Sequence, residues 1–170
     1  MQNPALPSPT LPNAALPNAA RPPRVIAIRP ECEVATVQQL PYFVGISGHT
    51  VGAAGLSMHL VVIPPSARAA PHVHVGYETG IYVLEGRVLT RWGPALEHEV
   101  VSEAGDFLFV PPGVPHEAIN LSSSSAARAV IARNDAAEQD KVVPYAPPDE
   151  PAAASAASAA SSAAPAASES

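Results

Sequence analysis

The stretch His72-Val-His-Val-Gly-Tyr-Glu-Thr-Gly-Ile-Tyr-Val-Leu-Glu-Gly-Arg-Val-Leu-Thr-Arg-Trp92 decides how this chain is read. Ile81–Leu84 and Arg87–Trp92 are short runs rich in β-branched and aromatic residues, and Gly86 between them marks a tight turn. Working outward, Val25–Ile28, Tyr42–Ile46, Leu56–Ile63, Val100–Ser102, Phe107–Val110 and Ala129–Ala132 share that character and are bounded by Gly, Pro or Ser. Pro64-Pro65, Gly93-Pro94 and Pro111-Pro112-Gly113 punctuate them. The one helix candidate is short, near Asp135–Lys141. Many closely spaced strands without alternating helices predict an all-β architecture, an antiparallel sandwich or a small barrel.

Composition sets the limits of the folded unit. All eight aromatics lie between Tyr42 and Tyr145, whereas seven of the 21 prolines fall in residues 1–24. Residues 151–170 hold 11 Ala and 6 Ser, so much of the 47% hydrophobic content need bury nothing. The expected organisation is a disordered Pro-rich tail over 1–24, a β-barrel domain over 25–146 and a disordered Ala/Ser-rich tail over 147–170. A net charge of −6 leaves no basic footprint for nucleic acid. No run approaches the ~20 apolar residues of a membrane span, and five prolines from Pro4 to Pro17 break up any secretory leader. The single cysteine, Cys32, cannot form an internal disulfide. A soluble, cytoplasmic protein is expected. Nucleotide-loop, zinc-protease and C-x-x-C signatures are absent from the sequence.

Three of the six histidines fall into a suggestive arrangement. In an extended strand, positions i and i+2 share a face, so His72 and His74 can aim at one point. Glu78 has the same parity, with Gly76 intervening. His116 ends Val110-Pro-Pro-Gly-Val-Pro-His116, where three prolines and a glycine leave the backbone few conformations. Imidazoles and a carboxylate on one side of a sheet suit a divalent transition metal.

These residues carry a resemblance. Gly105-Asp-Phe-Leu-Phe-Val-Pro111-Pro-Gly113-Val-Pro-His116-Glu-Ala-Ile-Asn120 fills every fixed position of the second signature motif of the cupin superfamily. His72-Val-His74-Val-Gly-Tyr-Glu78 followed by Ile81-Tyr-Val-Leu-Glu-Gly86 resembles the first, with two departures. Ser66 stands where a glycine is usual, and seven residues rather than six separate Glu78 from Gly86. A local bulge could restore the direction of Glu78. The resemblance implies a double-stranded, jelly-roll-like β-barrel with a metal held inside by His72, His74, Glu78 and His116. It also implies pairing as a homodimer.

The superfamily spans many activities, and fold does not choose among them. Open coordination positions would suit a bidentate substrate, or substrate together with O₂, on Fe, Mn, Ni, Cu or Zn. A dioxygenase-like enzyme acting on a small organic molecule is therefore expected first. A non-redox isomerase, lyase or hydrolase is the alternative, and a non-catalytic ligand- or metal-binding sensory module the third. Among the other candidates, His59 reads as a surface or satisfied structural histidine and His98 as solvated. Tyr82, Trp92, Phe107 and Phe109 read as core rather than pocket wall. Asn120 reads as a brace behind His116, and Glu117 as facing away from it.

Overall fold

The computed structural model describes residues 24–30, 34, 36–137 and 141–148. Ten strands and one short helix follow one another: β1 Tyr42–Ile46, α1 Gly48–Val51, β2 Ser57–Ile63, β3 His72–His74, β4 Thr79–Glu85, β5 Arg87–Trp92, β6 His98–Glu103, β7 Phe107–Val110, β8 His116–Asn120, β9 Ala127–Arg133 and β10 Val142–Pro144. They form two five-stranded antiparallel sheets, in the orders β1-β2-β9-β4-β7 and β10-β3-β8-β5-β6. From β2 to β10 nearly every connection crosses from one sheet to the other, which wraps the chain around one interior. This is the jelly-roll-like arrangement expected of a cupin barrel.

Alternation along the strands builds the core. In β2 and β9 every second residue is buried, so Val61 and Ile63 face Ala129 and Ala127 across the pair. Leu40, Tyr42 and Val88 pack with them. One end of the interior is polar instead. Ser57, Arg133 and Thr79 lie abreast on the adjacent strands β2, β9 and β4, all buried and on the inward face.

Gly86 carries the chain from β4 in one sheet to β5 in the other, at φ +87°. A Cβ there would stand 2.8 Å from that of Ala127. Gly86→Ala should therefore cost at least about 1–2 kcal/mol from the left-handed backbone alone, with the overlap adding to it. A lowered urea midpoint is the expected result; an unchanged midpoint would contradict the corner.

Several expectations need correcting. Val25–Ile28 is not a strand: it has no sheet partner among the described residues, and Val25, Ile26 and Ile28 are exposed. Propensity for β structure gains little without a neighbour to pack against. The expected helix near Asp135–Lys141 does not form over 135–137, and 138–140 lie outside the described residues. The helix that does form, α1, is capped by Ser47 and Thr50, each side chain bonding the other's backbone N–H. Tyr82, Phe107 and Phe109 point outward rather than into the core, and Trp92 is 40% exposed. Strands β3, β8 and β10 were not among the runs that sequence pattern identifies. The tails over 1–23 and 149–170, and Cys32, lie outside the described residues.

Candidate metal centre

Strand β3 turns His72 and His74 to the same face, and β8 sets His116 directly opposite His72 in the ladder. All three are buried. Their ring centroids are 4.3 to 5.1 Å apart, and one nitrogen from each ring lies within 4.8 Å of the others.

Their outer ring nitrogens fix which atom faces inward. Nδ1 of His72 lies 2.8 Å from the Ala70 carbonyl, and Nδ1 of His116 2.9 Å from that of Val114. A carbonyl only accepts, so each Nδ1 carries the hydrogen and each neutral ring keeps its lone pair on Nε2. Nδ1 of His74 meets the hydroxyl of Thr79 at 2.8 Å, while its Nε2 is buried with no hydrogen-bond partner. A buried ring nitrogen without a partner is costly. A divalent ion at the centre would satisfy it, so the donor set fits a metal.

The electrostatics favour the same state. Burial, then the neighbouring His116, lowers the His72 pKa to about 3. Burial, then His116 and His72, lowers that of His74 to about 2. Burial is also the main cause lowering His116. At neutral pH the three rings are therefore uncharged, the form in which imidazole binds a metal.

Glu78 does not join them. It is exposed, its backbone N–H donates to Asn134 Oδ1 at 2.9 Å, and its carboxylate accepts from Asn134 Nδ2 at 3.1 Å. No bulge restores its direction. Gly76, at φ +79°, turns the chain after β3, and it is Thr79 that faces inward at the start of β4. Counting back six intervening residues from Gly86 lands on Thr79, so the spacing held the signal. The inward ligand set is thus three neutral imidazoles without a carboxylate.

Sequence reasoning missed other residues at the centre. Tyr77 is buried and stacks on His74 at 5.0 Å, with its hydroxyl unpartnered. Arg133 continues the inward parity of Ile131 and Ala129 by one step past the run recognised in the sequence. His59 is neither exposed nor satisfied. It is buried against Tyr42 with both ring nitrogens lacking hydrogen bonds, and burial lowers its pKa to about 4, helped by the charge of Arg133. His98 is exposed, as anticipated. Asn120 braces the end of β8, its amide donating to the carbonyls of Ile63, Pro64 and Ser125. Glu117 does face away from the histidines, and Arg68 and Arg91 donate to its two oxygens.

The three rings open onto an interior cavity with about 70 Å³ of space for the centres of water-sized molecules, walled largely by aliphatic side chains. A second cavity of about 270 Å³, lined in part by Trp92, Phe109 and Val114, shares Thr90, Leu108, Val110 and His116 with the first. His116 thus borders both.

Comparison with known proteins agrees with this architecture. The family profile described as "Cupin domain" matches residues 59–132. The chain matches no curated protein. Among solved structures, it resembles a Cupin 2 conserved barrel domain protein from Salinispora arenicola at TM-score 0.55 and 22% identity, covering 67% of this chain and 92% of that one. It resembles the polyketide cyclase RemF from Streptomyces resistomycificus at TM-score 0.54 and 22% identity, covering 73% and 85%. An oxalate decarboxylase from Lactobacillus farciminis shares 18% identity at TM-score 0.52, and the match covers 64% of this chain and 31% of that protein. At these identities the likeness speaks for the fold. The profile match, the two crossing sheets and the histidines in their motif positions agree: this chain carries a cupin domain over residues 59–132.

Proposed function

We propose that this protein is a metal-dependent enzyme of dioxygenase type acting on a small organic molecule, with His72, His74 and His116 holding a divalent ion. The observation that carries this reading is the buried triad, one nitrogen of each ring within 4.8 Å of the others beside a cavity, with Nε2 of His74 lacking a hydrogen-bond partner. When bound, the ion would supply Lewis acidity and, if redox-active, a site for O₂. The chain's own residues do the rest. Ala70 and Val114 lock two rings in the donor tautomer, Thr79 orients the third, and aliphatic side chains wall the cavity beside them.

Elemental analysis of protein purified without added metal or chelator tests this, followed by oxygen-uptake screening of small organic substrates. Iron, manganese, nickel or copper near one per chain, with turnover that needs O₂, is expected. Turnover that is indifferent to O₂ would overturn the oxygenase assignment. One feature favours a second reading, a non-redox lyase, isomerase or hydrolase: three neutral histidines without a carboxylate form a donor set used by catalytic zinc. Zinc content with anaerobic turnover would select it. A bound ligand with no turnover would select a sensory module.

The homodimer is also a proposal. β7 is the outer strand of its sheet, and Phe107, Phe109 and Tyr82 form an exposed aromatic face beside it. Two copies meeting there about a twofold axis would cover both the open edge and the rings. Light scattering should give twice the chain mass, and Phe107→Glu should return the monomer. A wild-type monomer at micromolar concentration would contradict this.

A further inference from the structure

We propose that the second cavity receives the aromatic ring of a small uncharged molecule, held between Trp92 and His116 with its polar substituent turned toward the three histidines. The proposal rests on the functional reading of that centre and deepens it by naming the class of substrate.

The sheet registers set up a row of rings. His72 on β3 stands opposite His116 on β8, His116 opposite Trp92 on β5, and Trp92 opposite His98 on β6. Residues directly opposite one another project from the same face of a sheet, with Cβ atoms about 4.5–5.5 Å apart. The four side chains therefore form one line, on the face that bears the candidate metal centre. Ring centroids are 4.3 Å apart between His72 and His116, and 4.3 Å apart between Trp92 and His98. Between these two touching pairs, His116 and Trp92 make no ring contact with each other, and both line the cavity of about 270 Å³. The cavity thus borders the row where its contacts are interrupted. His98 covers part of the indole, yet Trp92 remains 40% exposed. A flat ligand there gains ring–ring contacts that an aliphatic one of the same size does not.

The walls narrow the chemistry further. The residues lining this cavity include no Asp, Glu, Lys or Arg, and Val100, Leu108, Val110 and Val114 make much of its surface. Such a lining offers a charged body no partner and favours an apolar one. An apolar cavity of about 150 Å³ can already hold a benzene ring, so this one has room for a ring and a substituent. Thr90 and His116 line both cavities. A hydroxyl on the ring can extend along that shared wall toward the histidines.

Trp92 is the only tryptophan of the chain, so indole fluorescence reports on this cavity alone. Phenol and cyclohexanol, alike in size and in carrying one hydroxyl, are the probes. Each is titrated into the full, metal-free chain by calorimetry and by indole fluorescence, and zinc uptake is measured separately. Working without metal isolates the stacking from any contact between oxygen and metal. Phenol should bind about 10-fold more tightly than cyclohexanol, the scale of two ring–ring contacts, and should change the indole emission. In Trp92→Leu the preference should fall to about 3-fold, one ring contact having been lost, while zinc uptake stays at one ion per chain. No phenol binding, equal affinity for the two probes, phenol binding that leaves the emission unchanged, or an undiminished preference in Trp92→Leu overturns the proposal. Should the variant fail to fold, the wild-type titrations decide alone. Zinc uptake without a phenol preference defeats the aromatic assignment and spares the metal centre. A phenol preference without zinc uptake does the reverse.

Discussion

Replacing His116 with alanine should lower the affinity for a divalent metal by at least about 100-fold, exceeding the 10–100-fold typical of outer-shell changes. Two ligands from β3 alone cannot surround an ion, and His116 is the imidazole that the opposite strand supplies. Equilibrium dialysis against zinc should show one ion per wild-type chain and almost none in His116→Ala at micromolar metal. Thr79→Val should show a milder loss, about 10-fold, because the hydroxyl orients His74 without touching the ion. Glu78→Ala should change nothing, since that carboxylate is occupied by Asn134 at the surface. A large loss in Glu78→Ala would restore the four-ligand expectation and contradict the geometry described above.

The second large effect is acid sensitivity of the metal-free protein. Unfolded histidine has its pKa near 6.5, whereas burial holds His72 and His74 at about 3 and about 2. Between those values the unfolded chain binds protons that the folded chain refuses, so stability is complete above pH 6.5 and falls as pH drops toward 3. Going from pH 8 to 5 should cost about 2 kcal/mol for each of these two histidines. His59 and His116, lowered in the same direction, add to the loss. The total is a sizeable part of the ~5–15 kcal/mol that holds a domain together. Urea denaturation at the two pH values measures it directly, and bound metal should flatten the dependence by occupying the lone pairs. Equal midpoints at pH 8 and pH 5 without metal would show that the rings are protonated or solvated in the folded state.

The fold was readable because strand signals are local. Gly86 needs its left-handed backbone wherever the sheets lie, whereas Leu56–Ile63 reads as a strand without revealing its inward face, since the polar Ser57 and His59 are buried and Met58 is exposed. The three histidines were readable because i, i+2 parity and a proline-stiffened approach are local too. Glu78 was misplaced because the turn at Gly76 resets parity, which the spacing to Gly86 signalled, while its partner Asn134, 56 residues away, is invisible along the chain. The exposed aromatics failed similarly, since hydrophobicity says that a side chain prefers cover but not which face of a strand receives it. Strand β8 escaped because its buried residues are polar, and only the three-dimensional arrangement supplies their partners. Arg133 escaped because a cation at an inward position breaks the apolar pattern that defines a core strand.

X-ray absorption at the edge of the metal carried by the purified protein tests the central claim most directly. For zinc, the account predicts one ion per chain with three imidazole nitrogens at about 2.0–2.1 Å and no carboxylate from Glu78. A shell with fewer than three imidazoles, or one that survives unchanged in His116→Ala, would contradict it.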